Sequence, residues 1–251
     1  MGSLGYYRPY RVATGAWHMQ QDDRLLQELR QTSRLVLRFY GWDQLTLSLG
    51  CHQVWAEGQA GGDLGIPIVR RPTGGRAVLH QAAADQAELT YSLGIPLPHL
   101  QKTLPNLKRA CVYDYCCRFL VQGLAELGIV VDRPHPDELY GQERLYSDKT
   151  SCFAARTRAD LSWQGQKLIG SAQRWQSWGI LQQGSILLRP NRELWERYLP
   201  GSGVVGIHNI CPQAPGIPAL IEHFLRVAGK CFSVNWQVQE SYPENELLTS
   251  L

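Results

Sequence analysis

Residues 66–80 read IPIVRRPTGGRAVLH, and the interpretation of the whole chain starts from this stretch. The run at 66–71, which is rich in β-branched residues, and the apolar residues at 77–79 predict two short strands. The Pro-Thr-Gly-Gly sequence between them predicts a tight turn. The two glycines permit positive φ and let the backbone approach a ligand, and the three arginines beside them suit phosphate or carboxylate groups. The stretch indicates either a loop that contacts an anionic or polarised group or an ordinary hairpin with a solvated arginine cluster.

The composition is that of a chain that folds around one core. Of its 251 residues, 44% are hydrophobic and 19% are charged, so we expect a single domain over residues 1–251 with its core at about 33–232. The formal net charge of +3 is small for this length and argues against nucleic-acid binding through a dense basic surface. Because no apolar run approaches about 20 residues and the N-terminus lacks a signal pattern, we expect a cytoplasmic protein without a membrane segment.

The cysteines are odd in number and scattered, which is not typical of a disulfide scaffold. They are Cys51, Cys111, Cys116, Cys117, Cys152, Cys211 and Cys231. None forms a Cys-x-x-Cys pair and no histidine cluster has zinc spacing, so we expect no metal site. Cys51 and His52 are adjacent, and adjacent side chains on a strand point to opposite faces, so they are not expected to act as nucleophile and base.

Periodicity and turn residues predict the other elements. Helices are predicted at residues 15–30, 107–127, 191–199 and 219–232. Strands are predicted at residues 35–40, 45–50, 87–93, 161–163, 167–175 and 180–188, and those before residue 94 are expected to form one meander. Residues 96–105 and 132–150 are predicted to be loops.

Six segments in chain order carry a resemblance to a known family. They are RFYGW (38–42), RRPTGGRAVLH (70–80), ELTYS (88–92), SCF (151–153), GQKLIGSAQ (165–173) and QGSIL (183–187). The chain resembles the biotin and lipoate protein ligase superfamily, and within it the octanoyl-[acyl carrier protein]:protein octanoyltransferases that use a cysteine nucleophile. This resemblance implies an α/β fold of the α+β type, with a mixed, mostly antiparallel β-sheet and flanking helices, and without the accessory C-terminal domain of many lipoate ligases.

The resemblance also implies the site residues. Cys152 is the implied nucleophile, and Lys167 is the implied cation that favours its thiolate form. The implied substrate-binding residues are Arg71, Thr73, Gly74, Gly75, Arg76, His80, Gly170, Ser171 and Ala172. His80 could orient the reacting carbonyl, act as a general base, or be a hydrogen-bonded histidine at the end of a strand. No metal or cofactor is implied.

The reaction that the resemblance implies is acyl transfer without ATP. Cys152 would take an octanoyl group from the phosphopantetheine arm of octanoyl-acyl carrier protein and pass it to a lysine. The implied acceptors are lipoyl domains of 2-oxoacid dehydrogenases or the glycine-cleavage H protein, and we expect a monomer with no nucleic-acid or membrane partner. The alternatives are an ATP-dependent lipoate-protein ligase, an amidotransferase between lipoyl domains, and a non-catalytic acyl-binding module.

Overall fold

The structure is a computed structural model that describes residues 3–54, 65–132 and 160–240. Cys152 and nearly all of the loop predicted at 132–150 lie outside the described residues. In chain order the strands are β1 (Ser3–Ala13), β2 (Val36–Trp42), β3 (Thr46–Leu49), β4 (Ile68–Arg70), β5 (Val78–His80), β6 (Glu88–Pro96), β7 (Leu161–Trp163), β8 (Gln166–Gln176), β9 (Gly179–Leu187) and β10 (Val234–Val238). The helices are α1 (Gly15–Glu28), α2 (Leu97–Thr103), α3 (Arg109–Glu126), α4 (Arg192–Tyr198), α5 (Ile207–Ile210) and α6 (Ile217–Phe232), with a 3-10 turn at Ala83–Asp85.

The strands form two sheets. The larger has the order β10-β1-β2-β6-β9-β8-β7, and the smaller has the order β4-β3-β5. In the larger sheet β1 pairs in parallel with β10 and β2, and the other neighbours are antiparallel. The prediction of a mixed, mostly antiparallel sheet with flanking helices is therefore confirmed.

The central stretch of the sequence does not form a hairpin. β4 and β5 do not pair with each other, because β3 lies between them, parallel to β4 and antiparallel to β5. Residues 72–76, which we call the glycine turn, carry the chain over the end of β3. A Cβ on Gly50 would lie 2.8 Å from the Gly75 carbonyl carbon, so the residue at position 50 must be small for this crossing. The hairpin interpretation was wrong, since pairing partners of short strands depend on the tertiary fold.

The predicted meander was also wrong, because β2 and β6 belong to the larger sheet and β3 to the smaller one. The loop predicted at 96–105 contains α2, in which Pro98 occupies a first-turn position where a missing N–H is tolerated. The sequence patterns did not predict β1 or β10, the strand that pairs with it at the edge of the larger sheet. Most positions of these two strands are exposed or half-buried, so their apolar pattern is weak.

Local signals placed several other elements correctly. The hairpin between β7 and β8 turns at Gln164 (φ 46°) and Gly165 (φ 78°), as predicted from the glycine. Asn191 caps α4 by accepting hydrogen bonds from the backbone N–H groups of Glu193 and Leu194. Helix α3 ends at Glu126, and Gly128 follows its cap residue with a φ of 79°.

Helices cover both faces of the larger sheet. Helices α3 and α6 pack on one face, where Phe119 and Phe224 are fully buried. Helix α1 packs on the other face, because Leu25 of α1 shares a buried cluster with Val36 and Leu181, and strand residues alternate between faces. Among the described helices, none combines the length and apolar character that crossing a bilayer requires.

Candidate active site

A cavity opens on the α1 face of the larger sheet. Its empty volume is about 570 Å³, counting the solvent space at its mouth, which is within the usual range of small-molecule sites. Its lining comes from α1, both sheets and the glycine turn. Eight of the residues named from the sequence line it: Arg71, Gly75, Arg76, His80, Lys167, Gly170, Ser171 and Ala172. Thr73 and Gly74 lie behind the lining, where they form contacts described below.

Lys167 faces the cavity because of a β-bulge. The register between β7 and β8 shifts between the Leu161–Ile169 and Ser162–Lys167 pairs. Leu168 and Ile169 therefore both point into the apolar core, and Lys167 and Gly170 both line the cavity. The Lys167 backbone is fixed by two hydrogen bonds, from its N–H to the Gly203 carbonyl and from Val205 N–H to its own carbonyl.

Lys167 forms an ion pair that sequence reasoning missed. Its Nζ lies 2.7 Å from Oδ1 of Asp160, and the two side chains are 10% and 5% exposed. A Cβ on Gly170 would lie 2.5 Å from Cε and 2.8 Å from Nζ of Lys167. The lysine side chain therefore occupies the space above a glycine. Asp160 immediately precedes β7, and no sequence pattern marks it, because the contact depends on the bulge.

The wall formed by β8 and β9 depends on small residues. A Cβ on Gly184 would lie 2.8 Å from both the Tyr91 ring carbon Cζ and the Ser171 Oγ. The Tyr91 hydroxyl contacts Ser171 Oγ at 2.8 Å and accepts a hydrogen bond from Gln182. Glycine at position 184 thus lets Tyr91 and Ser171 meet across the sheet surface.

Arg71 holds the glycine turn. Its Nη1 donates to the Ser48 carbonyl and to Ser48 Oγ, both at 2.7 Å, and its Nη2 donates to the carbonyls of Gly74 (3.0 Å) and Arg76 (2.8 Å). The residue is 8% exposed. Arg71 thus ties both sides of the turn to β3, and its hydrogen bonds are directed at the protein itself.

His80 has partners on both ring nitrogens. Nε2 lies 2.7 Å from Ser48 Oγ, and Nδ1 lies 3.0 Å from Glu88 Oε1. Arg71 donates to the same Ser48 Oγ, and Glu88 also accepts a hydrogen bond from Ser185. The ring stacks on Trp42 with centroids 3.8 Å apart. This geometry favours the interpretation of His80 as a hydrogen-bonded histidine that holds β5 in place.

A second buried network connects the glycine turn to α1. Thr73 Oγ1 donates to Gln183 Oε1 at 2.6 Å, and Gln183 Nε2 donates to the Asp22 carboxylate. Arg38 Nη1 lies 2.6 Å from Asp22 Oδ1, and both side chains are 0% exposed. A buried carboxylate requires such a partner, since an unpaired charge in the interior is very unfavourable. Sequence reasoning missed Asp22, Arg38 and Gln183, because a carboxylate on a helix is usually solvated.

His18 lies next to this network in its neutral form. Its Nδ1 is 2.7 Å from an Arg38 Nη2 donor, so Nδ1 accepts, and its Nε2–H donates to the Gly41 carbonyl at 2.8 Å. Burial, followed by the charge of Arg38, lowers the pKa of His18 from 6.5 to about 3.

The described cysteines do not line the cavity, and Cys152 lies outside the described residues. Cys51 is half-buried beside the glycine turn, where its N–H donates to the Thr73 carbonyl and its Sγ lies 3.9 Å from Arg174. Within the part of the chain that the structure describes, no cluster of three metal-binding side chains occurs.

Comparison with known sequences identifies relatives. A family model described as the lipoyl protein ligase A/B catalytic domain matches residues 14–226. Octanoyltransferase LipM of Carboxydothermus hydrogenoformans is 32% identical, over 95% of this chain and 90% of that protein. The proteins of the same name from Kyrpidia tusciae and Bacillus subtilis are 39% and 36% identical, over 70% of this chain. The chain covers 62% of the length of each of these two relatives, which is less than two thirds.

Solved structures show the same fold. Lipoate-protein ligase A bound with ATP superposes with a TM-score of 0.74 at 15% identity, over 95% of this chain and 89% of that one. A bipartite lipoate protein ligase from Thermoplasma acidophilum, in a structure with its E2 lipoyl domain, has a TM-score of 0.68 at 15% identity, over 95% and 88% of the two chains. The expected lipoate ligase catalytic-domain fold is therefore confirmed.

Proposed function

The chain belongs to the lipoyl protein ligase A/B catalytic domain family, and we propose that it is an octanoyltransferase. It takes an octanoyl group from the phosphopantetheine arm of octanoyl-acyl carrier protein, holds it as a thioester on Cys152, and passes it to a lysine of a lipoyl domain or of the glycine-cleavage H protein. The reaction takes place in the cytoplasm and needs neither ATP nor a metal ion.

The observation that carries this proposal is the similarity to octanoyltransferases over nearly the whole chain, at 32% identity over 95% of its residues. The lipoate ligases that superpose on the chain are 15% identical and establish the fold alone. An ATP-dependent ligase remains the second candidate, and the experiment below separates the two.

The site geometry supports a cysteine-based transfer. Lys167 presents a buried ammonium to the cavity, and a cation beside a thiol favours the thiolate. Cys152 is eight residues before Asp160, so extended chain of this length spans at most about 28 Å and can bring the thiol to the cavity. The small side chain of Ala172 leaves room along β8 for an alkyl chain.

Transfer proceeds in two balanced steps. The Cys152 thiolate bonds to the thioester carbonyl carbon, the carbon–sulfur bond to phosphopantetheine breaks, and the leaving thiolate takes a proton from the Lys167 ammonium. The neutral amine of the acceptor lysine then attacks the acyl-cysteine, and Cys152 leaves as a thiolate. The proton released from the acceptor nitrogen passes to the Lys167 amine, which restores the starting state.

The test mixes purified protein with octanoyl-acyl carrier protein and follows intact mass. We expect a hydroxylamine-labile octanoyl adduct on wild type and on the control variant Cys51→Ser, and none on Cys152→Ser, since a serine hydroxyl is far less ionised than a thiol at neutral pH. Adding a lipoyl-domain acceptor should then give octanoylated acceptor without ATP. Acceptor modification that requires ATP and persists in Cys152→Ser would establish the ligase instead.

A further inference from the structure

Lys167 shares the cavity with other charged groups. Among the described residues that line it, Arg71, Arg76 and Lys167 are the cations, and Asp160 is the one carboxylate. His80 also lines the cavity, but its ring nitrogens contact Ser48 and Glu88. Two guanidinium groups in the same cavity repel the Lys167 ammonium, because like charges repel one another. The Asp160 carboxylate is the group that offsets them.

The contact between Asp160 and Lys167 is direct and largely shielded from solvent. Their charged atoms lie 2.7 Å apart, and the side chains are 5% and 10% exposed. Removing two charges from water costs free energy that offsets much of their mutual attraction. A buried ion pair therefore contributes little net stability by itself. Burial raises the pKa of Tyr113 on α3, and the Asp160 charge adds a smaller contribution in the same direction.

The backbone is shaped to allow this contact. The bulge in β8 turns Lys167 toward the cavity, and continuation of the β7–β8 register places Asp160 opposite Gly170. A Cβ on Gly170 would lie 2.8 Å from Lys167 Nζ and 3.7 Å from Asp160 Oδ1. The absence of a side chain at Gly170 therefore leaves the space in which the two charged groups meet.

We propose that Asp160 is a positioning residue for the transfer reaction, whose carboxylate holds Lys167 Nζ above Gly170. This inference rests on the proposed function for its catalytic consequence. The Lys167 ammonium is the proton donor to the leaving phosphopantetheine thiolate, so loss of the Asp160 carboxylate frees the lysine side chain to leave the position from which it serves this step.

The first measurement needs no enzymatic activity. Brief labelling with acetic anhydride at one fixed pH, followed by peptide mass spectrometry, reports Lys167 alongside the exposed Lys102 as an internal reference. In Asp160→Asn the labelling of Lys167 relative to Lys102 should rise about tenfold or more, because the amine is no longer held against a buried carboxylate. The labelling of Lys102 should not change. Asp160→Glu, which keeps the carboxylate on a longer side chain, should give an intermediate labelling of Lys167.

The second measurement is the rate of acyl-adduct formation against the concentration of octanoyl-acyl carrier protein. In Asp160→Asn the maximal rate should fall about tenfold or more, whereas the concentration that gives half of this rate should stay within about twofold, because the substrate still binds. The control is Glu126→Gln, which removes the carboxylate of the exposed pair with Arg226 and should change neither result. A variant that loses thermal stability and rate with unchanged labelling of Lys167 overturns the proposal.

Two further outcomes are decisive. If Asp160→Asn does not fold, Asp160→Glu and Gly170→Ala decide, since the added methyl of Gly170→Ala displaces Lys167 from Asp160. Unchanged labelling of Lys167 in both variants would overturn the proposal. If wild type forms no adduct with octanoyl-acyl carrier protein, the proposed function fails. The labelling of Lys167 still decides whether Asp160 holds its amine in place.

Discussion

The two walls of the cavity are built in opposite ways. The loop wall, made of the glycine turn and the neighbouring Arg71 and His80, is held by polar side chains that reach backbone carbonyls and buried carboxylates. The strand wall, made of Gly170, Ala172 and Gly184, is held by the packing of β8 and β9 on the apolar core and depends on missing side chains. The first wall should therefore be sensitive to lost hydrogen bonds and the second to added atoms.

The largest effect is expected in the loop wall. Arg71→Ala removes four hydrogen bonds and leaves buried carbonyls unpaired, so it should lower the free energy of unfolding by about 3 kcal/mol and reduce acyl transfer. The neighbouring Arg70 donates to the carbonyls of Gly50 and Gln53 from an exposed position. Arg70→Ala should lower the free energy of unfolding by less than about 1 kcal/mol. Urea unfolding of both variants measures the difference, and equal losses would show that the turn does not depend on Arg71.

The strand wall should respond to a single methyl group. Gly184→Ala places a Cβ less than 3 Å from Tyr91 and Ser171, and overpacking of this kind should cost about 2 kcal/mol of unfolding free energy. The matched control is Gly74→Ala in the loop wall, because a Cβ there meets nothing within 4 Å. That variant should stay within about 0.5 kcal/mol of wild type. If the two variants unfold at the same urea concentration, the steric account of the strand wall is wrong.

The smallest effect concerns pH and the network behind the loop wall. The pKa of His18 is about 3 in the folded protein and 6.5 in the unfolded chain, so the unfolded state binds the additional proton below pH 6.5. The contribution of His18 to the free energy of unfolding is fully present above pH 6.5 and is lost as the pH falls toward 3. Between pH 7.5 and 5.5 the loss should be about 1.4 kcal/mol.

Urea unfolding at the two pH values measures this loss against His18→Gln, which keeps a donor near the Gly41 carbonyl but does not titrate. The free energy of unfolding of the variant should change less with pH, by the amount that His18 contributes in the wild type. Identical pH dependence in the two proteins would contradict the neutral, buried state of His18.

The sequence alone determined the features that local chemistry controls. The hairpin at Gln164 and Gly165 and the end of α3 before Gly128 follow from residues that tolerate positive φ, and the start of α4 follows from the Asn191 cap. The family and its fold could also be inferred, because six short segments in chain order resemble one superfamily. The roles of Cys152 and of the substrate-binding residues stay predictions that the adduct experiment tests.

Only the tertiary structure decided which groups meet. Strands β4 and β5 are separated by β3, and a three-residue strand does not encode its partner. The Asp160–Lys167 pair depends on a one-residue bulge, and the Asp22–Arg38 pair joins a helix to a strand. Asp, Lys and Arg are usually exposed, and a charged side chain that becomes buried requires a partner. Which side chains are buried depends on how the whole chain packs. The chemistry of the site therefore stays a prediction from the sequence, whereas the fold supplied the partners that hold its side chains in place.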